Sequence, residues 1–400
     1  MNPHMVRTVG AIGKRLGKAI LPRPVLRLIN AYRYDNDQMW KTFASKRMAR
    51  RLEAGVLHSR TTRPFAGIPR SSFSQMVLTS LLEPWRDWGQ RERIGVFKGS
   101  AFIEPAGGWI ICSPRHLASN CLIDPSSARK PSFRDYLETR LWAKREVREE
   151  RRLIHLRDWG ESNYWHFLND LVGGRLRLAD EVGVGADVPL LIGRRAFAQP
   201  FVQDILRSTQ IGRRRLLVQG DEMFHCREVI HFETPRHSAE SIDFALRCLG
   251  ARGGEERGNK RLFLSRSRGA RRTIGNLPEI EEVCRRRGFE VVETEHMSLA
   301  EQIELFSQVR YLVAIHGAGL ANIMFRRGAR LDLLEIFPST TYLGRSGRVS
   351  PPPAHYFWLA QACGFRYEAL FGMAKGEGDF ESVFHVDPTA LDVKIEEMLT

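Results

Sequence analysis

Apolar positions recur along this chain with two periods, and their alternation predicts its elements. Between residues 101 and 250, short apolar runs at Ala101–Glu104, Trp109–Ser113, Leu153–Leu156, Val188–Ile192, Leu216–Gln219 and Val229–Phe232 read as strands. Helical spacing predicts helices over Phe133–Arg152, Asn163–Asp180, about 199–208 and about 239–249. The second half repeats the pattern, with strands at Arg261–Ser265, Glu290–Glu293, Tyr311–Ile315, Leu331–Phe337 and Tyr367–Phe371. Its helices are expected at Leu277–Arg287, near Gly319, at about 355–363, and from the capping box Ser298-Leu299-Ala300-Glu301 to about Gln308. Strands alternating with helices imply parallel sheets covered on both faces, an α/β fold. The polar, glycine-rich stretch 250–259 reads as a linker between two doubly wound, Rossmann-like domains, 101–250 and 260–400. Residues 1–100 read as a basic N-terminal extension, partly helical: apolar positions 9, 12, 16 and 20 share one helical face, and 35–100 is irregular.

Composition narrows the partners. A formal charge of +15 over 400 residues calls for polyanions: nucleic acid, anionic lipid or phosphorylated small molecules. No helix-turn-helix, zinc-finger or RNP pattern accompanies the charge, so nucleic acid is not expected. The basic amphipathic stretch 1–34 suits an anionic membrane surface. The six cysteines are scattered, without CxxC or zinc spacing, and read as buried thiols in a reducing compartment. With neither a long apolar run nor a secretory signal, the expected location is cytoplasmic, resting on the inner membrane through residues 1–34. Asp35-Asn36-Asp37 has the shape of a DxD metal motif but follows no predicted strand, and it reads as a loop.

Candidate chemistry gathers after the strands. His316-Gly317-Ala318-Gly319 follows one strand and opens a helix; glycine lets backbone approach a ligand, and a helix start favours phosphate. Asn322 lies one turn further on. Ser265-Arg266-Ser267-Arg268-Gly269-Ala270-Arg271-Arg272 follows another strand, and its guanidinium forks suit phosphate oxygens unless the loop is simply a solvated basic surface. Glu335, near the end of the next strand, suits either ribose hydroxyls or a salt bridge. The glycine turn is a poor dinucleotide fingerprint, because Asn322 stands where the third glycine belongs. In the first half, Asn163, His166 and Asp170 share a helix face, and His166 with Asp170 forms either a general base or an ordinary surface pair. Gly173-Gly174 reads as an interruption of that helix, where the other domain comes close.

Two stretches together resemble one family. NYWHFLNDLVGGRLRL at 163–178 is similar to the NYxHWxxDxxPRL element of family 61 glycosyltransferases of the bacterial capsular polysaccharide biosynthesis type. The block from RLFLSRSRGARRTIGN at 261–276 through EQIELFSQVRYLVAIHGAGLANIMF to LLEIFP resembles the rest of that domain. Its ordered set is Arg266, Arg271 or Arg272, Asn276, Gln302, His316, Gly317, Ala318, Gly319, Asn322 and Glu335. The resemblance implies a GT-B-like fold with two Rossmann-like domains, and inverting transfer without a metal from a nucleotide-sugar, UDP-linked donor. The acceptor would be a glycan or lipid-linked hydroxyl in surface polysaccharide synthesis. It implies that Arg266, Arg271 or Arg272 and the Gly319 helix start neutralise the leaving diphosphate, that Glu335 contacts ribose, and that Asn276 belongs to the donor-binding set. His316 and Asn322 would touch phosphate or sugar. Asp170, oriented by His166, would deprotonate the acceptor, with Glu161 or Asp158 next in line. One departure stands out: Gly173-Gly174 replaces the family's Pro-Arg, and Arg175 is displaced. The alternatives are an NAD-linked oxidoreductase, which would need a full glycine fingerprint near a domain's first strand, and an inactive membrane-associated scaffold of polysaccharide assembly.

Overall fold

The computed structural model describes residues 54–62, 90–105, 107–108, 110–113, 116–118, 146–158, 160–233, 238–266, 272–343, 349–350, 352–374 and 383–400. The basic stretch 1–34, Asp35-Asn36-Asp37 and Arg271 lie outside these residues.

The first sheet takes the order β4-β3-β2-β8-β5-β6-β7, with β1 alongside β2. Its strands are β1 (Ala54–Thr62), β2 (Gln90–Ile103), β3 (Ile110–Ser113), β4 (His116–Ala118), β5 (Val147–His155), β6 (Leu190–Gly193), β7 (Leu216–Gln219) and β8 (Met223–Glu233). Between β5 and β6 runs a helix in three parts, α1 (Tyr164–His166), a π segment (Phe167–Leu176) and α2 (Arg177–Glu181). Helices α3 (Arg194–Phe197), α4 (Pro200–Ser208) and α5 (Ala239–Leu249) follow.

Three expectations are corrected here. The sheet is mixed: β5, β6, β7 and β8 run parallel, whereas β1 to β4 add an antiparallel wing. Strands β1 and β2 occupy part of the stretch read as irregular, so this sheet reaches back across residue 101. The charged run read as a helix to Arg152 is strand from Val147 onward, and residues 133–145 lie outside the description. Its charges find partners in other strands and their flanks: Glu149 meets His225 (2.7 Å), Glu150 meets Arg215 (2.6 Å) and Arg152 meets Glu228 (2.7 Å).

The second sheet is wholly parallel, in the order β10-β9-β11-β12-β15. Its strands are β9 (Lys260–Leu264), β10 (Glu290–Val292), β11 (Val309–Ile315), β12 (Asp332–Phe337) and β15 (Arg366–Phe371); two small ribbons, β13–β14 (Tyr342–Leu343, Val349–Ser350) and β16–β17 (Met373–Ala374, Phe384–His385), lie beside it. Helix α6 (Leu277–Arg286), α7 (Leu299–Ser307), a 3₁₀ segment (Ala318–Arg326), α8 (His355–Cys363) and α9 (Pro388–Leu399) cover it. The capping box of α7 forms as read, with Ser298 and Glu301 bonding reciprocally. Strand β11 is apolar on both faces, as a doubly covered parallel strand must be. Leu312 and Ala314 pack into one cluster, Val313 and Ile315 into another. The first of these clusters is continuous across both sheets, joining Leu168, Ile205 and Leu246 to Leu264, Leu320 and Phe357. The stretch 250–259 is docked on the second half: Gly254 N donates to Arg327 O, Glu255 N to Ser307 O, and buried Arg326 reaches the carbonyls of Glu255 and Gly258.

Both sheets have a point where the chain reverses its direction of growth. In the first it lies between β5 and β8, in the second between β9 and β11. Ligands of open parallel sheets bind beyond the carboxyl ends of the strands at such points. The loop after β5 leads into α1. The loops after β9 and β11 carry Arg266 and His316.

Candidate active site

At the second reversal point the turn after β11 is gripped by two arginines. Arg266 and Arg272 each donate Nη1 to the carbonyl of His316, both at 3.2 Å. Arg272 has φ +63°, a left-handed conformation that costs a non-glycine residue about 1 kcal/mol and is typical of functional sites. A Cβ on Gly317 would stand 3.0 Å from Arg266 Nη1, so the guanidinium lies directly over the turn. One on Gly319 would press on Leu264 and Thr294 at 3.3 Å. The helix expected near Gly319 forms, opening at Ala318 with 3₁₀ geometry.

His316 is buried and anchored through its ring. Nδ1 lies 2.5 Å from Glu335 Oε1, and Tyr367 Oη donates to Glu335 Oε2 at 2.6 Å. Burial, with Arg272, His355 and Arg266 nearby, holds the imidazole well below its usual pKa. Burial pushes the Glu335 carboxyl up to about 8, against the Tyr367 hydrogen bond and Arg272. Glu335 has no exposed surface, so the ribose contact expected of it is not what its position offers.

At the first reversal point Asn163 caps α1, its Oδ1 accepting from His166 N at 3.3 Å. His166 Nδ1 lies 2.8 Å from Asp170 Oδ2, and Asn169 Nδ2 donates to Asp170 Oδ1 at 2.7 Å. The carboxylate is thus buried with both oxygens engaged, while the His166 side chain keeps 14% of its surface open. Of the expected pair, the imidazole is thus the member that solvent reaches, while the Asp170 carboxylate is held by His166 and Asn169. Glu161 and Asp158 are bound to buried arginines, Arg157 (2.9 Å) and Arg175 (2.5 Å).

The two reversal points meet. Tyr164 Oη donates to Asn322 Oδ1 at 2.7 Å, and Asn322 Nδ2 donates to Gln302 Oε1 at 2.7 Å. A path of rings joins the same places: His316 to Tyr356 (5.3 Å), Tyr356 to Trp165 (5.1 Å), Trp165 to His355 (6.1 Å) and His355 to His166 (6.2 Å). Residues 164–331 match the family model described as Glycosyltransferase 61. That stretch, less than half of the chain, is similar to the glycosyltransferase 61 domain. No curated protein matches the chain. The matched span runs from the first reversal point to the start of β12, and the enzyme class is glycosyltransferase.

Within this glycosyltransferase the expected residues divide by position. Arg266, Arg272, His316, Gly317 and Ala318 converge at the second reversal point; His166 and Asp170 form their pair at the first. Asn322, fully buried, is the strut between them, so neither end of its amide faces a ligand. Asn276 bonds the backbone of Val386 in both directions (2.8 and 3.1 Å) and ties down the C-terminal segment. His355, Tyr356 and Tyr367 were not singled out in the sequence. They lie beyond the family match, and only the histidine at the start of the predicted 355–363 helix gave a signal. A cavity of about 640 Å³ opens on the first half, lined by Glu146, Arg194, Val218, Gly220, Asp221 and Glu222; none of the expected site residues lines it. Among the described residues no group of three or more metal-ligating side chains is arranged to hold an ion, and no helix is long and apolar enough to cross a membrane.

Proposed function

We propose that this glycosyltransferase takes its sugar from a nucleotide-sugar donor, UDP-linked, and passes it with inversion to a hydroxyl of a glycan or lipid-linked acceptor in surface polysaccharide synthesis of the capsular type. The observation carrying this reading is the convergence of Arg266 and Arg272 on the His316 carbonyl, in a residue linked through the rings of Tyr356, Trp165 and His355 to the His166–Asp170 pair. Two guanidiniums over a glycine turn supply the positive charge that a departing diphosphate needs, in place of a divalent cation. His166, held by Asp170 through Nδ1, takes the acceptor's proton on Nε2, and the carboxylate stabilises the imidazolium that results. The acceptor oxygen then attacks the anomeric carbon from the side opposite the diphosphate. We read the two sheets as the lobes of a GT-B-like enzyme, 101–250 facing the acceptor and 260–400 holding the donor. Residues 1–34, rich in Arg and Lys, would rest the cytoplasmic enzyme on the inner membrane.

Titration of the full chain with UDP, GDP and NAD tests the reading. Binding of UDP or GDP that survives a chelator is expected, and none of NAD. Arg266→Ala should lose about 2 kcal/mol of nucleotide binding, the worth of a hydrogen bond to a charged group, and unchanged affinity would overturn the assignment. His166→Ala should bind nucleotide normally and transfer sugar about a hundredfold more slowly or worse.

A further inference from the structure

The hollow of about 640 Å³ on the first half has no role in the transfer described so far, and its walls restrict what it can hold. It opens where the end of β6, the turn from β7 to β8 and the residue before β5 come together. Arg194 follows β6, Gly220, Asp221 and Glu222 make the turn, Val218 belongs to β7, and Glu146 precedes β5. Small-ligand sites typically span about 300–1,000 Å³, so the volume suits a sugar unit or two. A glycine keeps the hollow open: a Cβ on Gly220 would stand 2.8 Å from both Arg194 Nη2 and Glu222 Oε2. Beneath it lies a buried polar network. Gln219, 1% exposed, donates Nε2 to the carbonyls of Glu222 (3.0 Å) and Ile103 (2.8 Å) and accepts from Arg157. Arg157 Nε donates to Glu161 Oε1 (2.9 Å), and Glu161 Oε2 accepts from Gly193 N (3.0 Å), the residue before Arg194. Buried polar groups are costly unless paired, and here the pairing holds the turn and the end of β6 in fixed relation. Glu161 stands two residues before Asn163, the cap of α1, so the same network ties the hollow to the helix that carries His166.

The lining is mixed in sign and unbalanced. Three carboxylates face one guanidinium, so the hollow is acidic in a chain whose formal charge is +15. Arg194 Nη2 meets Asp221 Oδ2 at 2.8 Å, with 60% and 78% of the two side chains open to solvent, and Gly220 N donates to Glu222 Oε2 at 3.0 Å. A diphosphate or a uronate would set like charge against like here. Carboxylates accept from hydroxyls and amines, and a guanidinium donates to hydroxyl oxygens, often two at once. Side by side, the two kinds of group match neighbouring hydroxyls of a sugar ring, and Val218 offers an apolar contact for its face. We propose that this hollow is an acceptor subsite that takes an uncharged or amine-bearing sugar unit of the glycan, away from the hydroxyl that reacts. This rests on the reading that the first half faces the acceptor. It adds that the acceptor is at least two units long, because none of the expected site residues lines the hollow.

Saturation-transfer NMR of the full chain with UDP and a chelator tests the subsite with cellobiose, the amine-bearing glucosamine dimer and the digalacturonate dimer as probes. The first two should bind, and the uronate at least about tenfold more weakly. Arg194→Ala and Asp221→Ala should each weaken the two neutral or amine-bearing probes about tenfold or more, the loss of a hydrogen bond to a charged group. Gly220→Ala should do the same by displacing Arg194 and Glu222. Arg194 and Asp221 are largely exposed, so thermal melts of these variants should match the parent and separate lost binding from lost folding. A preference for the uronate, binding abolished by the chelator, or no sugar binding by a chain that binds UDP overturns the proposal. Binding that survives all three substitutions but is lost in His166→Ala also overturns it, while leaving the first half as the acceptor side. Binding that survives all four places the acceptor elsewhere and overturns both. If UDP does not bind, the donor-site reading fails, and the same probes without nucleotide decide the subsite.

Discussion

At Gly317 one added methyl group would test the proposed nucleotide site while leaving stability nearly untouched. An alanine Cβ there would stand 3.0 Å from Arg266 Nη1 and 3.2 Å from its Cζ, with no backbone atom among its three nearest neighbours. The extended backbone, φ 171°, suits any residue, so the chain absorbs the substitution by swinging a flexible guanidinium away. Gly317→Ala should change stability by no more than about 0.5 kcal/mol yet weaken UDP about tenfold through the displaced arginine. A thermal melt beside a calorimetric titration checks both halves; unchanged affinity would mean Arg266 does not hold the phosphate. This turn, Arg266 and the His166–Asp170 pair were legible in the sequence because their meaning lies in local spacing: four residues on a helix, or a loop directly after a strand. Glu335 was legible as a residue at the right place but not in its role. What it does depends on Tyr367, one strand over, and on His316, one strand the other way. His355 and Tyr356 belong to the same class, since their roles are ring contacts fixed by how α8 packs on α1.

The departure from the family pattern falls within the π segment. Arg175 stands one residue later than the arginine of the NYxHWxxDxxPRL element, and a π turn takes up one residue more than an α turn. Arg175 reaches the end of β5, donating to Leu156 O (3.0 Å), Arg157 O (3.2 Å) and Asp158 Oδ2 (2.5 Å). Gly173-Gly174 does not interrupt the helix, and the close approach expected there is made by α5 of the same half. A Cβ on Gly173 would stand 2.8 Å from the Ser241 carbonyl oxygen. Alanine would gain about 1 kcal/mol of helix propensity, but pushing a helix backbone away costs about 1–3 kcal/mol. Gly173→Ala should therefore lower the denaturant midpoint, and it should slow transfer as well, because His166 and Asp170 ride on the same helix. A variant as stable and active as the parent would show that α5 yields freely. Most elements with apolar periodicity were read to within a few residues, but β2 begins at Gln90 and β8 at Met223, well before the runs read at Ala101–Glu104 and Val229–Phe232. Those misread owed their structure to partners distant in sequence, as the charges of β5 do. Helix α9 passed unread although Asp387 and Pro388 mark its start and Leu391, Ile395 and Met398 its buried face.

At the scale of the molecule, the two halves are coupled more tightly than a pair of lobes on a hinge. One apolar cluster runs through both, and three polar ties cross it: Tyr164 to Asn322, Asp204 to the amide of Leu299 (2.6 Å), and Asp243 to Arg327 (3.0 Å). Interfaces between independent domains are smaller and more polar than a shared core. The halves should accordingly unfold together. Calorimetry of the full chain is expected to show one main transition, and a saturating nucleotide bound at the second reversal point should raise all of it. Two transitions, with only one shifted by UDP, would show the halves to be independent. Tyr164→Phe probes the tie closest to the chemistry. It removes the hydroxyl and leaves Asn322 Oδ1 buried without its donor, at about 1–3 kcal/mol. Because that bond spans α1 and the 3₁₀ segment, the loss should appear in the single transition and in turnover, while UDP affinity, which we propose rests on Arg266 and Arg272, should hold. A fall in UDP affinity as large as the fall in turnover would mean that Asn322 shapes the nucleotide site itself, and that the strut is part of the grip.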